Sequence, residues 1–171
     1  MEKQQLINEI ESTAGELLQM IDSFEQKTFN EVPFADSWTP GQVTEHIFLS
    51  ASGILGTVNG NTAPTQRDPH QMIAPLRDAF LNFHIKMQSP DFILPSQEPK
   101  DKAQLLHSTK DTWLGLAQAA KTQDLNATCL DFEMPTVGTL TRIEWLSFIV
   151  VHTQRHIWQL KKMAMITGIA K

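Results

Sequence analysis

Apolar positions recur along this chain at helical spacing, in four long runs separated by proline-rich and turn-rich connections. Leu6, Ile10, Ala14, Leu17, Ile21 and Phe24 are three or four apart and predict a first helix over 2–27, with Glu2, Lys3, Glu9, Glu16 and Glu25 on its solvated side. SWTPGQVTEHI opens the second. Thr39 stands at the N-cap, Pro40 at the first helical position, and Gln42 completes a Thr-x-x-Gln capping box. Trp38 and Val43 fall at the two positions of a hydrophobic staple, and Val43, Ile47, Ala51, Ile54 and Val58 continue the stripe. Leu106, Thr109, Trp113, Leu116, Ala117 and Ala120 predict a third helix over 101–121. The last begins at a second capping box, Thr141 with Glu144, stapled by Leu140 and Trp145. Its stripe is Leu146, Ile149, Val150, Ile157, Leu160, Met163 and Ala164, and it ends near Ile166 at Thr167 and Gly168.

The stretch Asn59 to Pro99 is the least regular, with six of the nine prolines. Leu76, Phe80, Phe83 and Met87 predict a short helix over 74–88, and SPDFILPSQEP an extended strap with Phe92 and Ile93 tucked onto the domain. Thr122 to Leu140 reads as a loop, broken by Asn126, Pro135 and Gly138, with an extended piece in TCLDFEM. A link of about forty residues between the second and third long helices allows a crossover that leaves two helices parallel. The expected architecture is all-α: a four-helix bundle with one long crossover and a short extra helix within it, one domain over 1–171.

Composition narrows the function. A net charge of -5 with scattered Lys and Arg argues against a nucleic-acid binder. No apolar run approaches the ~20 residues of a membrane span, and the polar start MEKQQLINEIEST is not a signal peptide. The one cysteine, Cys129, cannot form an intrachain disulfide, which fits a reducing cytoplasm. No activating base adjoins it in sequence, so it reads as a packed residue rather than a nucleophile.

The histidines carry the candidate chemistry. His152 and His156 are four apart on the last helix and stack one turn above the other at the border of its stripe. Two neutral imidazoles a turn apart can grip one transition metal. The plainer reading is a pair of half-buried histidines bonded to backbone or water, and His46, two turns into the second helix, reads by itself as a core residue bonded to a neighbour. If the second and fourth long helices face each other across the core, however, His46 joins the pair around one point. Three imidazoles with an open position is how catalytic zinc is held. Nickel, copper and iron also suit imidazole. Gln42, Ser50 and Gln159 are polar neighbours within helical reach of the three rings. His70, His84 and His107 have no partner at ligand spacing.

SWTPGQVTEHI resembles the Trp-x-x-x-(Gln/Glu)-x-x-x-His entry to the second helix of the DinB-like (DinB/YfiT) superfamily, and GTLTRIEWLSFIVVHTQRHIWQL resembles its last helix, with the His-x-x-x-His pair followed by Gln-Leu. The two motifs are spaced as in that family, so the resemblance covers almost the whole chain. It implies a bundle with a crossover, a divalent metal (zinc or nickel first) at His46, His152 and His156, and often a homodimer. Relatives include transferases and isomerases that use low-molecular-weight thiols. The expectations are therefore a metal-dependent enzyme moving a small thiol onto an organic electrophile, a hydrolase using metal-bound water, a non-catalytic metal- or ligand-binding stress protein, or a helical interaction module with structural histidines. No catalytic residue beyond the ligands carries over. The partners expected are a small-molecule substrate and a second copy of the chain. Trp145, Phe148, Val151 and Trp158 widen the apolar surface of the last helix beyond one stripe, and either that copy or the 59–99 segment would cover it.

Overall fold

The computed structural model describes residues 2–168. Its helices are α1 (Lys3–Ser23), α2 (Gln26–Phe29), α3 (Pro40–Asn59), α4 (Ile73–Leu81), α5 (Lys102–Thr122) and α6 (Arg142–Ile166). Both predicted capping boxes form. Thr39 accepts from the Gln42 amide while the Gln42 side chain accepts from the Thr39 amide, and Thr141 and Glu144 repeat the arrangement. These caps fix where α3 and α6 begin, and so set the height of His46, His152 and His156 above the helix starts.

The four long helices form the bundle. α1 packs on α5 and α6, and α3 packs on the same two, so α3 and α6 are adjacent rather than diagonal. Val58 near the end of α3 meets Arg142 at the start of α6, which makes that pair antiparallel. Lys100 lies beside Gly41, Leu55 beside Gly115 and Asn59 beside Gln123, so α3 and α5 run parallel, as the crossover requires. The core joins Leu6, Leu17, Phe24, Ile47, Trp113, Leu116, Leu146 and Leu160 in one cluster. No helix of the described residues is long and apolar enough to cross a membrane.

Three boundaries differ from the sequence reading. The first helix stops at Ser23, and a separate turn, α2, follows, because the Gln26 and Asn30 side chains bend back to the Lys100 carbonyl at 2.7 and 2.9 Å. α4 ends at Leu81, not near 88. Arg155 of α6 takes the carbonyls of Phe80 and Asn82 at 3.1 and 2.9 Å, and that of Ile85, drawing the chain out of the helix. In the strap, Asp91–Ile93 forms a 3-10 turn that leaves Phe92 60% exposed instead of tucked in. The extended piece in TCLDFEM is present: Thr128–Cys129 pairs antiparallel with Thr62–Ala63, tying the start of the crossover to the α5–α6 link.

Candidate metal centre

His46 projects from the second turn of α3, where the capping box and Pro40 hold the backbone, and is 1% exposed. His152 and His156 project from the middle of α6; His152 is buried and His156 half-buried. The antiparallel packing of α3 on α6 brings the three rings together, with centroids 4.7 to 5.0 Å apart. One ligand nitrogen from each lies within 4.8 Å of the others, and no carboxylate or thiol of the described residues joins the group.

The hydrogen bonds orient two of the rings. His46 Nδ1 lies 2.8 Å from the Ile93 carbonyl, so that nitrogen carries the proton and donates it. Its Nε2 is left with a lone pair, 3.1 Å from His152 Nε2. His156 Nδ1 donates to Gln159 Oε1 at 3.0 Å, again freeing Nε2. Each bond to the far nitrogen is the arrangement that fixes a metal-ligating imidazole. Two ligand nitrogens on a tetrahedral zinc ion stand about 3.3 Å apart, which the His46–His152 separation nearly matches. The donor set therefore fits a divalent metal. His152 Nδ1 is buried without a partner.

Burial keeps all three rings neutral, the form that ligates. It lowers the pKa of His46 against the opposing pull of the Ile93 bond. It pushes His152 well below the usual range, helped by the repulsion a proton there would meet from protonated His156 or His46 and from Arg155. His156 falls to about 3, through burial and then His46. Aromatic rings wall the group: Trp38 lies 5.3 Å from His46, and Phe148 and Phe80 lie 5.5 and 6.0 Å from His152.

Of the polar neighbours expected from sequence, Gln159 does hold one of the three rings, that of His156. Gln42 serves its cap and the strap, and Ser50 donates to the His46 carbonyl, one turn back in its own helix. The Ile93 carbonyl was missed, since a backbone acceptor leaves no mark in side-chain spacing. His70, His84 and His107 lie outside the cluster, His70 near Asp68 and His107 near Asp111. Cys129 is fully buried, and burial raises its thiol to about 11, which excludes it as a ready nucleophile.

A family model described as the DinB superfamily matches residues 9–160. This chain belongs to the DinB superfamily. Among solved structures it is similar in fold to YfiT from Bacillus subtilis, described as "a probable metal-dependent hydrolase with an unusual four-helix bundle topology". The TM-score is 0.62 and the identity 15%, over 98% of this chain and 88% of that one. A search of curated proteins found no match. Membership agrees with the crossover bundle, and its two sequence motifs are the ones that deliver His46, His152 and His156 to one point.

Proposed function

We propose that this DinB-superfamily protein is a metal-dependent enzyme that binds one divalent cation, zinc or nickel, at His46, His152 and His156 and transfers a low-molecular-weight thiol to a small organic electrophile. The carrying observation is a cluster of three neutral imidazoles that, among the described residues, includes no carboxylate and no protein thiol. A bound divalent ion supplies Lewis acidity that favours the anionic form of a thiol or water beside it. A thiol, with an ordinary pKa near ~8.5, needs no separate general base to ionise, whereas water gains from one. Ile93 and Gln159 hold two of the ligand rings, and Trp38, Phe80 and Phe148 offer apolar surface to an electrophile.

Hydrolysis by water is the second reading, favoured by the description of YfiT. The deciding experiment begins with elemental analysis of protein purified without a histidine tag. The metal-loaded protein is then assayed with small thiols and a chromogenic electrophile, alongside esters and amides. Thiol-dependent turnover lost in His152→Ala supports transfer. Turnover of the esters or amides alone supports hydrolysis. No His152-dependent activity moves the chain to a non-catalytic metal- or ligand-binding role.

A cytoplasmic location and a homodimer belong to the same proposal. Of the residues that widen the apolar surface of α6, Trp145 and Val151 are buried within the chain, while Trp158 keeps partial exposure and stacks on Phe83 at 4.8 Å. Light scattering at micromolar concentration tests the dimer, and a monomer mass counts against it.

A further inference from the structure

His46 owes its orientation to a backbone carbonyl, and that carbonyl sits on a strap with little regular structure of its own. Something must set the strap's register. Glu45, the residue before His46, is turned about 100° round the helix from it and addresses the same strap three residues further on. Its Oε2 accepts from the Ser96 amide at 2.7 Å and meets Lys100 Nζ at 2.7 Å. The Lys100 ammonium also donates to the Ser96 carbonyl at 3.2 Å and to the Ser96 hydroxyl. The Lys100 side chain is 7% exposed, so Glu45 is the counter-charge to a nearly buried cation.

Gly41 makes room for this clasp. A Cβ there would lie 3.0 Å from Lys100 Cγ and 2.9 Å from the Phe29 carbonyl. The bare glycine lets the lysine stem lie flat on α3, one turn below Glu45.

The clasp is not needed to hold the strap's far end. Asn30 brackets Lys100, accepting from its amide at 2.6 Å and donating to its carbonyl at 2.9 Å, and Gln26 donates to the same carbonyl. What Glu45 adds is the shorter of two ties from α3 to Ser96, beside the Gln42 side chain that donates to the Ser96 carbonyl at 3.3 Å, and Ser96 lies within about 10 Å of chain from Ile93. We infer that Glu45 is a positioning residue for the metal centre: by clasping Ser96 and Lys100 it holds the Ile93 carbonyl on His46 Nδ1, and so keeps His46 Nε2 aimed at His152 and His156. This rests on the three-histidine reading above.

The test compares Glu45→Ala and Glu45→Gln with the wild type. Zinc affinity is read by competition with a chromogenic chelator. The His46 Nδ1–H is read by nitrogen–proton NMR of the metal-free protein. Glu45→Ala should weaken zinc binding about tenfold, the low end for loss of a group supporting a ligand, and should lose the protected His46 Nδ1–H signal. Glu45→Gln keeps an oxygen for the Ser96 amide and should restore most of both. Arg142→Lys, which loosens the other end of α3, should lower the melting temperature and move neither readout. Wild-type affinity together with an intact Nδ1–H signal in Glu45→Ala overturns the inference. A wild type that binds no zinc overturns the site itself and the affinity claim with it. A zinc-binding wild type whose NMR signal survives in Glu45→Ala overturns the part given to Glu45 alone.

Discussion

Arg67 and Glu144 meet through two parallel contacts, each guanidinium nitrogen 2.6 Å from its own carboxylate oxygen, with the Glu144 side chain wholly buried and Arg67 28% exposed. The same carboxylate accepts from the Thr141 amide, closing the cap of α6, and from the Met72 amide just before α4. One side chain thus starts the helix that carries His152 and His156 and pins the crossover against it. Breaking one partner of a buried pair usually costs several kcal/mol. Here two amides remain on Glu144, so Arg67→Met should cost about 2–3 kcal/mol in a urea titration. Burial alone would raise the Glu144 pKa, but Arg67 and the two amides outweigh it and hold the group below the usual carboxylate range. A folded pKa below the unfolded one gives stability present above ordinary carboxylate pH and lost as pH falls through the folded value. Arg67→Met should therefore also flatten the acid limb of the stability profile.

Arg142 performs a similar service without a carboxylate partner. Its buried guanidinium donates to the carbonyls of Val58 at 2.7 Å and Asp124 at 3.2 Å, at the C-terminal ends of α3 and the α5 region, where a cation is favoured. Arg142→Met should cost about 2–3 kcal/mol, since charge-assisted bonds to buried carbonyls are lost and not replaced. Equilibrium unfolding checks it, and a change within error of zero would show that the two helix ends are capped by water instead.

Much of this arrangement was legible in the sequence because local rules agreed. The two capping boxes fixed the starts of α3 and α6, and helical spacing then placed His46, His152 and His156 on inward faces. What escaped notice acts through the backbone or at long range. The carbonyls of Ile93, Phe80 and Asn82 have no side-chain signature, yet they orient the His46 ring and stop α4. The partner of Glu144, Arg67, lies 77 residues away in the irregular crossover, where no spacing rule ties it to α6. For Trp145 and Phe148 the spacing leaves two covers open, a partner chain or the 59–99 segment, because apolar spacing tells that a face is covered but not by what. Here Phe80 of the crossover meets Phe148 at 4.9 Å, and Phe132 lies 5.8 Å from Trp145.

The ligand assignment separates the histidines cleanly. His152→Ala and His156→Ala should each abolish stoichiometric divalent-metal binding, while His70→Ala and His84→Ala should leave it at one per chain. The first two supply nitrogens to the three-ring cluster, and the last two lie outside it. Elemental analysis after gel filtration reads the outcome. Full metal content in both ligand variants would remove the site.

The metal-free protein should lose stability over an acid range that belongs to the histidines rather than the carboxylates. In the unfolded chain an imidazole titrates near ~6.5, so it takes up a proton as pH drops through that value. In the folded chain burial, and then the neighbouring His46, hold His156 to about 3. Between those two values the unfolded state binds more protons than the native state, so stability rises with pH across that interval. The contribution is complete above pH ~6.5 and is withdrawn progressively as the pH falls toward the folded value. His46 and His152 are shifted in the same direction and add to the slope. Urea midpoints measured between pH 8 and 4.5 in the presence of a chelator should fall steadily below pH 6.5, and His156→Gln should flatten part of that fall, because glutamine has no proton to take up. Excess zinc should raise stability by a similar amount across this range, because the folded rings are held neutral well into the acid and protons there load the unfolded chain rather than the native site. An unchanged slope in His156→Gln would show that the imidazole is protonated in the native state, and that the ring faces solvent rather than its two neighbours.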